Sequence, residues 1–237
     1  IDMRSRSHSE EERSFLAAHV AGSGLGVTYS QLENAGQVLL VGLEPEDECG
    51  AIFLRMRKAT RKGKLRVASL APMTSRGLAK LSGELLRCAP GTEVEVAAEI
   101  REGGEFADLA SRLDGGVILV GERASRTPGL LSEVVRLAER THCRIQWVPR
   151  RAGERGGVEA GLLPGLLPFG RPLASQEARE SLAWGEIPAQ RGLDATQMLE
   201  AVADGRVKAP VVGGVDLRDF DDSYAARQAL VQVDPLV

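Results

Sequence analysis

The sequence predicts an α/β protein with doubly wound, mainly parallel sheets that carry helices on both faces. Strand candidates lie at residues 38–41, 117–120 and 144–148, and the first two are apolar runs without the alternation of apolar and polar positions found in strands with one solvent-exposed face. Segments with apolar residues at helical spacing separate these runs. Because strands that alternate with helices are joined by right-handed crossovers, the pattern predicts parallel sheets in two Rossmann-like lobes.

The individual elements follow from local signals. Ser9 and Glu12 have the spacing of a capping box, which starts the first helix, and Gly42 closes the first buried strand. Ile52 and Met56 belong to an apolar stripe on a helix whose other face is basic. The predicted helices cover residues 9–21, 52–61, 77–86, 94–100, 106–113, 130–141, 196–203 and 224–230. The predicted strands cover residues 38–41, 65–69, 117–120, 144–148, 211–212 and 231–233.

The predicted domain boundary lies at Gly103 and Gly104, where two glycines separate helices that would otherwise be nearly continuous. Residues 1–104 then form a first α/β lobe and residues 105–237 a second. The chain does not begin with Met, and it stops just after the strand-like run at residues 231–233. We therefore expect it to be a fragment of a longer protein.

Composition excludes several classes of partner. Hydrophobic residues make up 43% of the 237 residues and charged residues 27%, which is the balance of an ordinary globular protein. The net charge of -3 disfavours broad electrostatic binding to nucleic acid or to an anionic membrane surface. Since no apolar stretch approaches the ~18 residues that span a bilayer, we expect a cytoplasmic protein without direct membrane insertion.

Cysteine and histidine positions point to no metal site or nucleophile. The cysteines Cys49, Cys88 and Cys143 are far apart in the sequence and form no C-x-x-C pair. Neither a disulfide framework nor a cysteine-based metal site is therefore indicated. The three histidines share no ligand spacing with cysteines or carboxylates, and a G-x-S-x-G elbow is absent. The sequence predicts no catalytic residue and no metal ligand.

The loop after the first buried strand is acidic. It carries Glu44, Glu46, Asp47 and Glu48, and Pro45 removes one possible amide donor. A pyrophosphate would need glycines for close approach and the positive end of a helix, whereas these carboxylates would repel it. The pattern instead predicts a helix N-terminus whose dipole is matched by acidic side chains.

A basic, glycine-rich loop follows the strand at residues 144–148. Its arginines are Arg150, Arg151 and Arg155, and glycines are interleaved with them. Backbone amides and guanidinium groups in such a loop could surround a small anion. Alternatively, the loop is a glycine-rich turn, or its arginines meet carboxylates on a partner subunit. The sequence leaves these interpretations open.

Several segments resemble a known family. The run VGLEPEDE at residues 41–48 continues into FLRMRKA at residues 53–59, and both resemble the molybdopterin-oxidoreductase-like region of the G subunit of NADH-quinone oxidoreductase, of the actinobacterial type. Further similar segments lie in order along nearly the whole chain, at residues 71–78, 89–93, 148–156 and 198–211. The G subunit is the large peripheral iron–sulfur subunit of respiratory complex I.

The resemblance implies that a pterin site has been lost. Molybdenum enzymes of the wider superfamily carry a G-S-N-P loop after the first strand, but Leu43 and Glu44 replace its Ser and Asn here. The opening segment keeps Arg6, His8 and Ser9 of an R-x-C-H-S motif and lacks its cysteine. The first lobe would thus be a degenerate pterin-dinucleotide-binding domain, and no cofactor is expected in this fragment.

The resemblance also implies a function. The parent subunit would carry iron–sulfur clusters in its missing N-terminal part, in a complex that passes electrons from NADH through FMN and clusters to quinone. This region would be a non-catalytic scaffold that contacts other peripheral subunits, held at the cell membrane only through the complex. Two alternatives remain: a fragment of an active molybdopterin or nucleotide-dependent oxidoreductase, and an α/β regulator that binds a small anion.

Overall fold

The computed structural model describes residues 1–4, 6, 8–24, 26–231 and 233, and the chain forms two compact units. The sheet unit comprises Ser23–Ala152, and the terminal unit comprises Ile1–Gly22 together with Gly153–Val237. None of the helices within the described ranges combines the length and the apolar character that a membrane crossing requires.

Strands and helices alternate through the sheet unit. The strands of the chain are β1 (Gly36–Val41), β2 (Leu65–Ala71), β3 (Glu84–Arg87), β4 (Val117–Gly121), β5 (Arg144–Val148), β6 (Leu166–Leu167) and β7 (Arg171–Pro172). The helices are α1 (Glu10–His19), α2 (Tyr29–Glu33), α3 (Pro45–Glu48), α4 (Gly50–Arg61), α5 (Arg76–Lys80), α6 (Glu93–Glu102), α7 (Ala107–Leu113), α8 (Leu130–Arg140), α9 (Glu154–Glu159), α10 (Gln176–Glu180), α11 (Ala195–Ala203) and α12 (Ser223–Val231). Short 3₁₀ turns occur at Glu122–Arg126, Pro168–Gly170 and Leu217–Asp219.

The sheet unit is built on one five-stranded sheet with the order β3-β2-β1-β4-β5. Each neighbouring pair is parallel, and Val38 of β1 is in register with Val67 on one side and Val117 on the other. The predicted α/β class with a parallel sheet is confirmed. The strand order reverses direction after β3, which is the mark of a doubly wound sheet.

Burial explains why the central strands read as unbroken apolar runs. Val38 and Leu40 of β1 belong to a core cluster on one face, together with residues of α2 and α4. Leu39 and Val41 point to the other face, because neighbouring side chains alternate, and both are fully buried. Helix α2 packs on α4, and α6 packs on α8, so helices cover both faces of the sheet.

The predicted helix at residues 77–86 is wrong. Helix α5 ends at Lys80, and residues 84–87 form β3, which pairs with β2 through Leu85 and Ser69. Ser82 has a left-handed backbone with φ of 51°, and a Cβ on the next residue, Gly83, would lie 3.1 Å from Leu78 Cγ. This tight Ser-Gly turn interrupts the helix and starts the strand.

The observed units differ from the predicted lobes 1–104 and 105–237. Strands β1 and β4 pair directly, so a division between residues 104 and 105 would cut through one sheet. The glycines that suggested the boundary have a local role instead: Gly103 adopts φ of 78° and ends α6 in a left-handed cap.

The terminal unit is mainly helical, with a two-residue antiparallel ladder between β6 and β7. Its core includes Leu16 of α1 and Val158 of α9, both fully buried. The predicted helices at residues 196–203 and 224–230 correspond to α11 and α12. The predicted strand at residues 211–212 is not formed. A strand was also predicted at residues 231–233. Val231 instead belongs to the end of α12, and Gln232 lies outside the described residues.

Candidate functional site

The carboxyl ends of the parallel strands are the first place to look for a site. In a doubly wound sheet the chain leaves neighbouring strands in opposite directions at one point, and ligands bind in the crevice there. Here that switch point lies between β1 and β4, which are adjacent in the order β3-β2-β1-β4-β5. The loop after β1 and the 3₁₀ turn after β4 form its two sides.

Backbone atoms from the two sides of the switch point are in close contact at Gly42. Gly42 follows β1 with φ of 60°, and a Cβ there would lie 2.9 Å from Cα of Ala124 and closer still to its amide nitrogen. Gly121 ends β4, and its own Cβ would lie 2.9 Å from the carbonyl carbon of Gly42. The turn after β4 therefore lies directly against the end of β1.

The acidic loop caps its own helix. Glu44 precedes α3, and its Oε1 accepts a hydrogen bond from the amide of Glu46 at 3.2 Å. Oε1 of Glu48 accepts a hydrogen bond from the amide of Glu44 at 3.0 Å. Pro45 occupies the first helical position. Carboxylates thus take the amide donors at the start of this short helix, as the sequence predicted, and a phosphate would have to displace them.

Cations from three other elements neutralise the same loop. Glu46 forms a close ion pair with Lys80 of α5, and Glu48 forms one with Arg123 in the turn after β4. Arg150 lies after β5, and its Nε is 3.9 Å from Oε2 of Glu48, whose side chain is 7% exposed. The acidic loop is therefore an internal network of ion pairs, anchored on a nearly buried carboxylate.

The three arginines singled out in the sequence are divided between the two compact units. Arg150 and Arg151 belong to the sheet unit, while Arg155 belongs to α9 of the terminal unit. Arg155 donates a hydrogen bond from Nη2 to the carbonyl of Val20 at 3.1 Å and lies 3.7 Å from Glu159. It joins α9 to the end of α1. Arg150 has a half-exposed side chain, and Arg151 is exposed.

A cavity, here called the β2 cavity, opens at the switch point. It has a volume of about 490 Å³, and its lining includes Glu44 after β1, Arg123 after β4 and Glu93. Glu93 begins α6, and its Oε2 accepts hydrogen bonds from the amide of Gly91, in the turn before the helix, at 2.8 Å and from Oγ1 of Thr127 at 3.0 Å. Two carboxylates of the chain therefore line this cavity.

Arg123, Lys80 and Glu93 were not predicted from the sequence as members of this region. Each of these residues is distant in sequence from the loop or cavity that it contacts. Which residues meet there depends on the order of the strands in the sheet. One signal was present: Arg123 comes two residues after Gly121, at the end of a buried strand, where ligand-facing loops begin.

The cysteine thiols are held in their neutral form. Burial, together with the carboxylates of Glu48 and Glu44, raises the pKa of Cys49 to about 12. Burial and Glu93 raise the pKa of Cys88 to about 11, and burial also raises the pKa of Cys143. Thiolate is the form that attacks and that binds metal. Within the described part of the chain, no three side chains of the metal-binding types form a group that could hold an ion.

The residues kept from the R-x-C-H-S motif have structural roles in the terminal unit. Ser9 Oγ accepts the amide of Glu12 at 3.0 Å and caps α1. Glu12 does not complete a capping box, because its carboxylate accepts hydrogen bonds from Arg4 at 2.5 Å and from Arg6 at 2.6 and 2.8 Å. Although burial opposes ionisation, hydrogen bonds and charge from Arg6 and Arg4 lower the pKa of Glu12.

His8 is buried beside this cluster. Its side chain is inaccessible, and Nδ1 lies 3.7 Å from Oδ2 of Asp2. That aspartate accepts the amide of Ala195 at 2.9 Å and so ties the N-terminal segment to α11. Burial, followed by the positive charge of Arg4, lowers the pKa of His8 to about 4. The imidazole is therefore neutral near pH 7, and the segment is packed as core.

Known proteins resemble the chain over nearly its whole length. No family model matches it. It is 49% identical over 234 residues to the G subunit of NADH-quinone oxidoreductase from Mycobacterium bovis, and equally to that from Mycobacterium tuberculosis. It is 47% identical over 254 aligned positions to the corresponding G subunit from Streptomyces coelicolor. These alignments cover 97% of this chain but only 29 to 30% of each relative. The predicted resemblance is confirmed, for a region that spans less than a third of its relatives.

Proposed function

We propose that this chain, being similar to part of the G subunit of NADH-quinone oxidoreductase, is a non-catalytic scaffold within that complex. The complex would pass electrons from NADH through FMN and iron–sulfur clusters to quinone, with the clusters of the parent subunit outside this region. The chain would be cytoplasmic and held at the cell membrane only through neighbouring subunits. The identity of 49% across 97% of the chain supports this assignment.

One observation carries the scaffold role: carboxylates of the chain line the cavity at its switch point. Glu44 and Glu93 both line this cavity, and Glu44 accepts the amide of Glu46 at the start of α3. A pterin dinucleotide would need free amide donors for its phosphates, and these carboxylates would repel them. This favours a scaffold over an active molybdopterin or nucleotide-dependent oxidoreductase.

The geometry gives less support to a small-anion regulator. Such a role would need several guanidinium groups that converge on one anion. Arg155 already binds Val20 and Glu159 within the terminal unit, and Arg150 faces Glu48. A bound anion at the loop would have to compete with these internal carboxylates.

Arg150 and Arg151, here called the docking pair, are the best candidates for contact with another subunit. They follow β5 at the edge of the sheet. The side chain of Arg150 is 51% exposed, and Glu48 offsets only part of its charge at 3.9 Å. Exposed cations of this kind fix register and speed encounter with an acidic surface, more than they add affinity. We infer that the partner surface carries carboxylates.

Replacing both residues of the docking pair with Glu tests this function. In the intact complex, Arg150→Glu with Arg151→Glu is expected to lower the yield of assembled enzyme about tenfold, because like charges would then meet at the contact. The neutral pair Arg150→Gln with Arg151→Gln is expected to give an intermediate loss. Yield is measured as the amount of complex recovered relative to free parent subunit.

A matched control separates this effect from general charge change. Arg140 and Arg144 are exposed in the same unit, and Arg144 starts β5 at its opposite end. Arg140→Glu with Arg144→Glu makes the same change in charge and should leave the yield unaltered. Equal yields for the docking and control variants would rule out docking through Arg150 and Arg151. A docking variant that assembled fully but lost phosphate binding would support the regulator instead.

A further inference from the structure

An exposed apolar segment in the terminal unit has no described partner for its backbone. Residues 209–215, here called the valine segment, connect the region after α11 to the 3₁₀ turn at Leu217–Asp219. Val211 is fully exposed, and Val212 and Val215 are 50% and 41% exposed. Burying a valine contributes about 1.5 kcal/mol or more, so three exposed valines in one short segment favour a partner surface.

The backbone of the segment supports this conclusion. From Val211 to Val215, neither the amides nor the carbonyls make a hydrogen bond to another residue that the structure describes. By contrast, β1 in the sheet unit is paired along its length with β2 and from Val38 to Val41 with β4. The adjacent β-branched residues Val211 and Val212, whose donors and acceptors have no described partner, are a template for addition of a strand.

A groove accompanies the free backbone. It has a volume of about 440 Å³ and lies within the terminal unit, between the valine segment, α11 and the residues around α12. Its walls include Met198 and Leu199 of α11, together with Phe220 and Leu230. The ligand that fits is an extended chain with apolar side chains, which would satisfy backbone groups and fill the groove at once.

The order of elements indicates what kind of strand this is. Helix α11 precedes the segment and α12 follows it, with the apolar run between them, as helices flank the parallel strands of the sheet unit. A buried parallel strand reads as such an apolar run and needs neighbours from other parts of its chain. This explains why the predicted strand at residues 211–212 is absent although its sequence favours one.

We propose that the valine segment is a strand whose partner is an apolar segment of the same parent polypeptide, outside the residues of this chain. The chain spans only 29% of its mycobacterial relatives, so most of such a polypeptide lies beyond the structure. The terminal unit is then one part of a larger α/β domain. This inference rests on the parent chain being longer, and it does not depend on the docking pair.

Hydrogen exchange tests the proposal. Amide exchange is measured by mass spectrometry for this chain alone, for the intact parent subunit and for the assembled complex. In the parent subunit the peptide covering residues 209–215 is expected to exchange about 100-fold more slowly than in the chain alone. Peptides from β1, which is already paired, should exchange alike in all samples and provide the internal control.

Each other outcome overturns the proposal. Fast exchange in both the parent subunit and the complex would show that the segment stays unpaired. Protection that arises only in the complex would assign the partner to a different subunit. Protection of this chain alone that grows with its concentration would assign it to a second copy.

A pair of variants adds a second measurement. Val212→Asp in the parent subunit is expected to restore fast exchange of the segment, because burying a carboxylate in a mainly apolar groove is costly. Val231→Asp changes a valine that is 75% exposed at the end of α12, and protection should persist. If protection survives Val212→Asp, the proposed pairing is wrong. Since the wild-type comparison needs no variant, poor folding of Val212→Asp would leave the test intact.

Discussion

Gly42→Ala is expected to destabilise the sheet unit by about 3 kcal/mol, because the added methyl group meets two obstacles. The backbone of Gly42 has φ of 60°, which costs an L residue about 1 to 2 kcal/mol. The new Cβ would also lie 2.9 Å from Cα of Ala124, so the turn after β4 must shift, at a further cost of about 1 to 3 kcal/mol.

Gly63→Ala is the matched control. Gly63 has φ of 65°, and no heavy atom that the structure describes lies within 4 Å of the position its added methyl group would take. Only the conformational strain applies, so a loss of about 1 kcal/mol is expected. Urea unfolding is followed by fluorescence of Trp147, which is buried in β5, in a background where the exposed Trp184 is Phe. Equal losses for Gly42→Ala and Gly63→Ala would show that Gly42 is not in close contact with the turn after β4.

Glu12→Gln is expected to destabilise the terminal unit by about 3 kcal/mol. The carboxylate of Glu12 is buried, with a side chain 3% exposed, and it accepts hydrogen bonds from Arg4 and Arg6. An amide retains the shape but removes the negative charge that faces the guanidinium of Arg4, which is itself 1% exposed. Breaking one side of a buried pair is costly because the remaining charge stays desolvated.

Glu10→Gln provides the control in the same helix. Glu10 forms a close ion pair with Arg13, but its side chain is 81% exposed. An exposed pair of this kind contributes less than about 1 kcal/mol. Stability is read from the exchange of amides in α1, whose slowest members report on unfolding of the unit. Similar losses for the two variants would mean that the Arg4, Arg6 and Glu12 cluster does not hold the N-terminal segment.

The strands could be predicted where burial on both faces of the sheet gives an unbroken apolar run in the sequence. Strands β1 and β4 coincide with apolar runs because side chains on both faces of a covered parallel sheet are removed from water. Strand β3 gave no such run: Glu84 and Arg87 are exposed at the sheet edge, and the strand resembles the end of the preceding helix. Only the turn at Ser82 and Gly83 separates the two.

The site was only partly predictable, because it depends on contacts between distant residues. The acidic loop and its short helix followed from local sequence. The pairing of Glu48 with Arg123 depends on β1 and β4 being neighbours, which no local pattern specifies. Arg151 and Arg155 are close in sequence but belong to different compact units, because Gly153 begins the terminal unit.

The metal and pterin content of the purified, desalted chain is the decisive measurement for a non-catalytic role. No redox centre is expected in these residues, because carboxylates of the chain line the cavity at the switch point and burial keeps the thiol pKa values raised. Elemental analysis by mass spectrometry, with fluorescence detection of released pterin, is expected to find neither molybdenum, iron nor pterin at stoichiometric levels. A transition metal or pterin retained at one per chain would contradict a non-catalytic scaffold.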